Sequence, residues 1–211
     1  MYLPTQFAWT DTADLVAFCR AHPFATLVAE GADGLEAQHL PVLTDLQDGR
    51  VVLRAHAALA DPLWRATRVL AVFSGPHAYI SAAWYGEADT VPTWNYLAVH
   101  ASGPVTLIED PAEIAGGFSR LAAHDGDRQR WQDGLSPAMY ARLVGAIRWF
   151  RIDVTHLVGK AKLSQHHPPE RRQRAITQLR ASGDPAARAT GEAMARALAG
   201  APPWTNSEAT P

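Results

Sequence analysis

Phe24-Ala25-Thr26-Leu27-Val28-Ala29, then Gly31-Ala32-Asp33-Gly34, then Leu35 to Thr44, then Asp48-Gly49 and Val51-Val52-Leu53-Arg54-Ala55-His56: this run decides the fold class. Its apolar segments are short and rich in β-formers. Each is closed by a glycine-bearing turn that can reverse the chain. The run predicts a meander of three strands, and no helix alternates with them. A doubly wound parallel sheet is thereby disfavoured.

Outward from this run the pattern changes slowly. Residues 11–21 predict a helix capped by Asp11 or Thr12, with Leu15, Val16, Phe18 and Cys19 as its apolar face. His22-Pro23 ends it, because the residue before proline avoids helical geometry. Asp61-Pro62 starts a helical turn carrying Trp64. Val69–Phe73 reads as a buried strand, broken at Ser74-Gly75-Pro76 and resumed at Ala78-Tyr79-Ile80. Residues 86–93 read as a loop. Leu97–Ile108 reads as a long strand with a bulge at Ser102-Gly103-Pro104.

Helices are predicted at Pro111–Ala123, with Asp110 as its cap, and at Pro137–Val144. Ile147–Val158 reads as one last strand. After Pro168-Pro169 the chain becomes rich in Ala, Arg and Gln, and Gly183-Asp184-Pro185 divides it into two helices. The class expected is mainly β (α+β), a barrel or sandwich of six or seven antiparallel strands with helical decoration. Residues 1–167 are expected to form the main domain, 168–200 a helical extension and 201–211 a tail.

Of the 211 residues, 47% are hydrophobic, enough for a full core, and the formal charge is −2. That balance weakly opposes a wide DNA-gripping face. A single cysteine, Cys19, excludes a disulfide within the chain. No segment approaches a membrane span, and Met1-Tyr2-Leu3-Pro4 lacks the pattern of a secretory signal. A cytoplasmic location is the expectation.

Lys160 and Lys162 are the only lysines among 19 basic residues. In extended geometry they share a face. With the hydroxyl of Ser164 and the amide of Gln165 they make a compact anion site suited to phosphate. The alternative is a solvated strand end. Pro92-Thr93-Trp94-Asn95-Tyr96, with His100 beyond, sets two aromatics around an amide. Such a group can sandwich a planar ring or form a packing corner. Trp84-Tyr85 suits a pocket wall or an interface. His56, on a strand that runs toward a helical turn, is a candidate hydrogen-bond donor or a structural histidine.

Glycine-rich phosphate loops, zinc-protease motifs and nucleophile elbows are missing from the sequence. His166-His167 would point to opposite sides if extended, so no metal site is expected. Arg171, Arg172, Arg174 and Arg180 read as a solvated helix face, with nucleic-acid binding as the alternative.

A family likeness accumulates in order along the chain: Met1-Tyr2-Leu3-Pro4, Phe7, Ala25-Thr26-Leu27, His39-Leu40-Pro41, His56, Pro62-x-Trp64, Phe73-x-Gly75-Pro76, Tyr79-Ile80-Ser81, Trp84-Tyr85, Pro92-Thr93-Trp94-Asn95-Tyr96, Val99-His100, Gly103 and Lys160-x-Lys162-Leu163-Ser164-Gln165. The sequence resembles the PaiB family of FMN-binding negative transcriptional regulators, over roughly residues 1–180. The resemblance implies a split β-barrel of the FMN-binding type and a homodimer with FMN at the subunit interface. It implies that Lys160 and Lys162, assisted by Ser164 and Thr26, bind the phosphate. Trp94, Asn95, Tyr96 and Gln165 would contact the ring or ribityl chain, with further hydrogen bonds from His56 and His100.

The sequence departs from the family in places. Leu59 and Asp61 stand where a basic residue and an asparagine are usual, Ala82-Ala83 replace Pro and Ser, and His166-His167 replace Asn and Arg. The loss of a base and gain of an acid would weaken FMN binding. The function implied is a dimeric regulatory flavoprotein acting through DNA or a protein partner. The alternative is an FMN-dependent oxidoreductase, of flavin-reductase or pyridoxamine-phosphate-oxidase type. Flavin-free DNA binding and a dimeric interaction module that has lost its cofactor are the remaining readings. No catalytic residue is assigned.

Overall fold

A computed structural model describes residues 1–31, 33–122 and 134–205. The chain divides into two compact units, one formed by Met1–His22, Ser74–Val99 and Val158–Pro211, the other by Pro23–Phe73 and His100–Leu157.

The second unit holds the meander. Strands β2 (Phe24–Gly31), β3 (Gly34–Pro41), β4 (Leu43–Gln47) and β5 (Arg50–Ala58) follow one another. They are joined by the first half of β6 (Arg68–Ile80), the second half of β7 (Thr93–Ile108) and β8 (Ile147–Asp153). The hydrogen-bonded order is β3-β2-β6-β7-β8-β5-β4. β3 also lies against β5, so the sheet curls back on itself. Alternation places Ala25, Leu27 and Ala29 of β2 inside and leaves the residues between them partly open. Helices α2 (Pro111–Ala122) and α3 (Pro137–Gly145) belong to this unit. A cluster of Leu43, Ile108, Phe118 and Trp149, with Ile114, Leu121, Val144 and Ile147 against it, ties the helices to the sheet.

In the first unit, the short β1 (Ala8–Trp9) pairs with β9 (His156–Lys162), Ala8 opposite Lys160. Helix α1 (Thr12–Ala21) is capped by Asp11, whose carboxylate accepts the Asp14 amide at 2.9 Å. It buries Leu15, Phe18 and Cys19 as its spacing predicts. Burial pushes the Cys19 thiol far up, so it packs as an inert hydrophobe. Helices α4 (Pro169–Arg180) and α5 (Pro185–Leu198) form a hairpin, with Asp184 capping α5. Gly191 lets α5 approach α4: a Cβ there would lie 3.0 Å from that of Leu179.

Four strand assignments differ from the sequence reading. Leu35–Thr44 is two strands, because β3 pairs with β2 while β4 pairs with β5. Ser74-Gly75-Pro76 does not break β6, which runs for 13 residues. Gly75 is small there because a Cβ would meet the Phe18 ring at 2.5 Å. Ile147–Val158 also divides, into β8 and the start of β9, after Thr155 turns its amide to the Ser102 carbonyl at 2.9 Å. β7 begins early, at Thr93, so Thr93-Trp94-Asn95-Tyr96 lies in a strand. The end of the predicted helix at Ala123 lies outside the described residues. Among the described residues, no helix is long and apolar enough to cross a membrane.

Candidate functional site

Lys160 and Lys162 lie within β9, not after it. Lys160 is 8% exposed; its ammonium donates to the Tyr2 carbonyl at 3.0 Å and sits 5.5 Å from the centre of the Tyr96 ring. Lys162, half-buried, donates to Thr93 Oγ1 at 2.6 Å. Neither lysine has a carboxylate partner among the described residues.

Lys162 opens onto a cavity of about 420 Å³ in the first unit. Four separate stretches of chain line it. Phe7 comes from a 3-10 turn, Tyr85 from another, Thr90 and Thr93 from the approach to β7, and His166, His167 and Arg171 from the passage into α4. The rings pair across the cavity lining: Phe7 meets His166 edge-on at 5.7 Å, and Tyr85 meets His167 at 5.2 Å. The two histidine rings lie 3.9 Å apart. The expected opposition of His166 and His167 therefore fails, because this stretch turns after β9 instead of extending. Partial burial, with Lys162 and Arg171 nearby, holds His166 below the ordinary imidazole range. Burial, with His166 and Arg171 nearby, does the same for His167.

Arg171 forks onto Glu87, donating from Nε to Oε2 at 3.0 Å and also from Nη2. Its Nη1 lies 3.2 Å from His167 Nδ1, and its guanidinium stands over the Tyr85 ring. Tyr85 is 1% exposed, yet its hydroxyl has no hydrogen-bond partner among the described residues. A buried hydroxyl left unpaired costs free energy unless a ligand or water reaches it. The cavity lining offers an ammonium without a carboxylate partner among the described residues, a guanidinium, imidazoles and threonine hydroxyls, against one lining carboxylate, Asp89. That chemistry suits an oxyanion, phosphate above all.

The other anticipated residues divide into three groups. Asn95 and Ser164 are fully buried: Asn95 Nδ2 donates to Ser164 Oγ at 3.0 Å and lies 3.2 Å from Met194 Sδ. Ser164 takes a left-handed conformation, φ 63°. Gln165 staples the end of β9, accepting the Leu163 amide at 2.7 Å and donating to the Ala161 carbonyl at 2.5 Å. These three side chains spend their polar atoms on the protein. Trp94 is 54% exposed beside His77 and Tyr79, an aromatic surface on β6 and β7. Tyr96 is half-buried beneath Lys160.

Thr26, His56 and His100 belong to the second unit. Thr26 Oγ1 bonds His39 Nδ1 at 3.1 Å across β2 and β3, and Phe24 stacks on His39. His56 faces Trp149 at 4.8 Å and Phe118 at 5.7 Å, with a buried Nδ1 that has no partner among the described residues. Burial lowers its pKa, and that of half-buried His100. Asp61 caps the turn Pro62–Arg65, accepting the Leu63 amide at 2.9 Å, as its place before proline predicts.

The arginines of α4 are not a free cationic stripe. Arg171 and Arg174 both pair with Glu87, Arg180 pairs with Glu192 at 2.8 Å, and Arg172 is buried. Arg171, His166, His167, Thr93 and Phe7 line the cavity without having been assigned a ligand role, although Thr93 stands in the Pro92–Tyr96 string, Phe7 in the family likeness and His166-His167 among its departures. Folding gathers them from distant stretches. The rarity of two lysines in an arginine-rich chain was the clearest sequence signal. Among the described residues, no cluster of three or more His, Cys, Asp or Glu could hold a metal ion.

Comparison with known proteins agrees with this chemistry. Residues 1–156 match the family described as "Putative FMN-binding domain". The protease synthase and sporulation protein PAI 2 of Bacillus subtilis is 32% identical over 201 residues, covering 92% of this chain and 96% of the relative. Among solved structures, the flavocytochrome Anf3 of Azotobacter vinelandii superposes with a TM-score of 0.58 at 18% identity, over 74% of this chain and 69% of its own. The FAD and heme binding protein of Mycobacterium smegmatis gives 0.53 at 14% identity, over 73% and 72%. At these identities the two structures speak for the fold, a split barrel with peripheral helices. FMN is the cofactor of the family, and the cavity's donor set fits its phosphate end. The chain belongs to the PaiB family of FMN-binding split-barrel proteins.

Proposed function

We propose that this protein is a cytoplasmic, homodimeric FMN-binding regulator, whose output depends on the state or supply of its flavin. The observation that carries the reading is Lys162, a cation without a carboxylate partner among the described residues that faces a cavity with Arg171 and Thr93. In this reading Lys162 holds the FMN phosphate, and Lys160, bonded to the Tyr2 carbonyl outside the cavity lining, does not reach it. Bound FMN would supply one- and two-electron redox chemistry. The chain's own part is to neutralise the phosphate, present donors to it and wall the cavity with Phe7 and Tyr85.

Exposed apolar side chains support the dimer. Phe24 (68%) and Leu35 (79%) in the second unit, and Trp94 and Tyr79 in the first, offer surface that a second copy can cover. The likeness to a protein named for protease synthesis and sporulation supports a regulatory output. Neutralisation of the α4 arginines by Glu87 and Glu192 favours a protein partner over DNA gripped by α4. Titrating FMN into the purified protein, with light scattering for mass, tests the reading. Bound flavin in a particle of two chains supports it, and a monomer that ignores FMN rejects it.

A second reading, an FMN-dependent oxidoreductase, is favoured by one observation. The cavity has aromatic walls and imidazoles whose pKa values are lowered, an environment suited to a small organic substrate. Sustained NAD(P)H oxidation by the FMN-loaded protein would establish it, and the absence of turnover with any acceptor would favour regulation.

A further inference from the structure

Residues 86–92 form one wall of the cavity, contributing Asp89, Thr90, Val91 and Pro92. Their conformation is locally specified. Gly86 and Asp89 both take left-handed backbone angles, φ 65° and 55°, and the Thr90 hydroxyl donates to the carbonyls of Ala82 and Glu87 at 3.3 and 3.2 Å. Beyond these turn bonds, the segment's ion-pair anchor is Glu87, which takes Arg171 and Arg174 on its two oxygens. The hydrogen bond from Arg171 is the main reason its carboxyl sits below the ordinary carboxylate range. Arg171 is therefore shared: it lines the cavity, yet its fork is spent on a residue of the cavity wall.

The competition is unequal. A phosphate monoester carries close to two negative charges and offers three oxygens, where Glu87 brings one charge divided between two guanidiniums. The oxyanion would sit between Arg171 and Lys162, whose ammonium has no acid to lose.

We infer that Glu87 is the displaceable counter-ion of Arg171: a phosphate monoester entering beside Lys162 takes Arg171 over from Glu87 and releases segment 86–92 to a looser hold by Arg174. This inference rests on the reading of the cavity as a phosphate site. It gives that site a way to report its occupancy on the surface, as a change in the freedom of one loop. The ligand chemistry is a phosphate monoester, from FMN or from another small metabolite.

Hydrogen–deuterium exchange of segment 86–92 in the full chain tests it, with FMN, riboflavin and inorganic phosphate as probes. Faster exchange with FMN and not with riboflavin supports the inference with FMN as the source. Faster exchange with inorganic phosphate alone, in a protein that takes up no FMN, supports the gate and rejects FMN as its ligand. Unchanged exchange in the presence of spectroscopically bound FMN overturns the gate and leaves the flavin reading standing. Unchanged exchange with all probes, and no bound flavin, overturns both. Glu87→Gln, an exposed substitution, should tighten binding of the active probe about threefold, in line with the worth of surface ion pairs. Weaker binding by Glu87→Gln contradicts the inference.

Discussion

Lys162 and Thr93 are joined by a 2.6 Å hydrogen bond from ammonium to hydroxyl, and among the described residues no carboxylate completes the charge of that ammonium. The bond runs between β9 and the first residue of β7, which fixes the lysine's reach into the cavity. A half-buried ammonium held in place but not neutralised is prepared for an anion from outside the chain.

The first prediction concerns that ammonium. Lys162→Ala should weaken FMN binding about tenfold or more, since a hydrogen bond to a charged group is worth about 1.5–3 kcal/mol. Flavin fluorescence quenching measures it. Affinity for riboflavin, which lacks the phosphate, should change little, and an equal loss for both ligands would deny Lys162 its phosphate role.

Asn95 and Ser164 are predicted to act through stability. Asn95→Ala leaves the Ser164 hydroxyl buried without its partner, a cost of about 1–3 kcal/mol. The melting temperature should fall by about 2–4 °C for each kcal/mol in a chain of this size. A variant that melts like the parent but no longer takes up FMN would instead place Asn95 at the ligand.

His56 should make stability depend on pH. Its folded pKa is lowered by burial, so the unfolded chain binds the proton first as pH falls. The His56 contribution is therefore complete above about pH 6.5, the ordinary imidazole value. It is lost progressively as pH drops below that. His22, His100, His166 and His167 are lowered by burial too and act in the same direction. Urea midpoints at pH 7.5 and 5.5 should differ less in His56→Phe than in the parent. A slope of the same size in both proteins would remove His56 from this role.

Gly103 is predicted to be irreplaceable. A Cβ there would collide with the Asp153 carbonyl, backbone that has no rotamer to swing aside. Gly103→Ala should lower the melting temperature or yield insoluble protein, whereas Gly116→Ala, with open space around it, should not. Equal melting of the two variants would refute the close approach.

The glycine-closed strands, the Asp11 cap of α1 and the division of the C-terminal stretch into α4 and α5 were legible in the sequence because local chemistry decides them. Glycine-bearing turns reverse β2 into β3, Asp11 waits before an apolar stripe, and Asp184-Pro185 can only begin a helix. The failures lie where long-range contacts overrule local signals. Gly75 resembles a breaker until Phe18 is seen lying against it, and Val42 resembles strand interior until β3 and β4 are seen to take different partners. In the candidate site, the lysine pair stood out by its rarity. The strand geometry that aligns Lys160 and Lys162 nevertheless sends them to different surroundings, one over the Tyr96 ring and one into the cavity. Ser164 and Gln165 belong to the same string but serve the backbone. Arg171 and Glu87 lie 84 residues apart, and only the fold brings them together.

The most direct test of the central claim is a visible absorption spectrum of the purified protein after incubation with FMN and desalting. Retained bands near about 370 and 450 nm, as a bound flavin gives, are the predicted result, diminished in Lys162→Ala. A parent protein that emerges colourless would contradict the flavin-binding account.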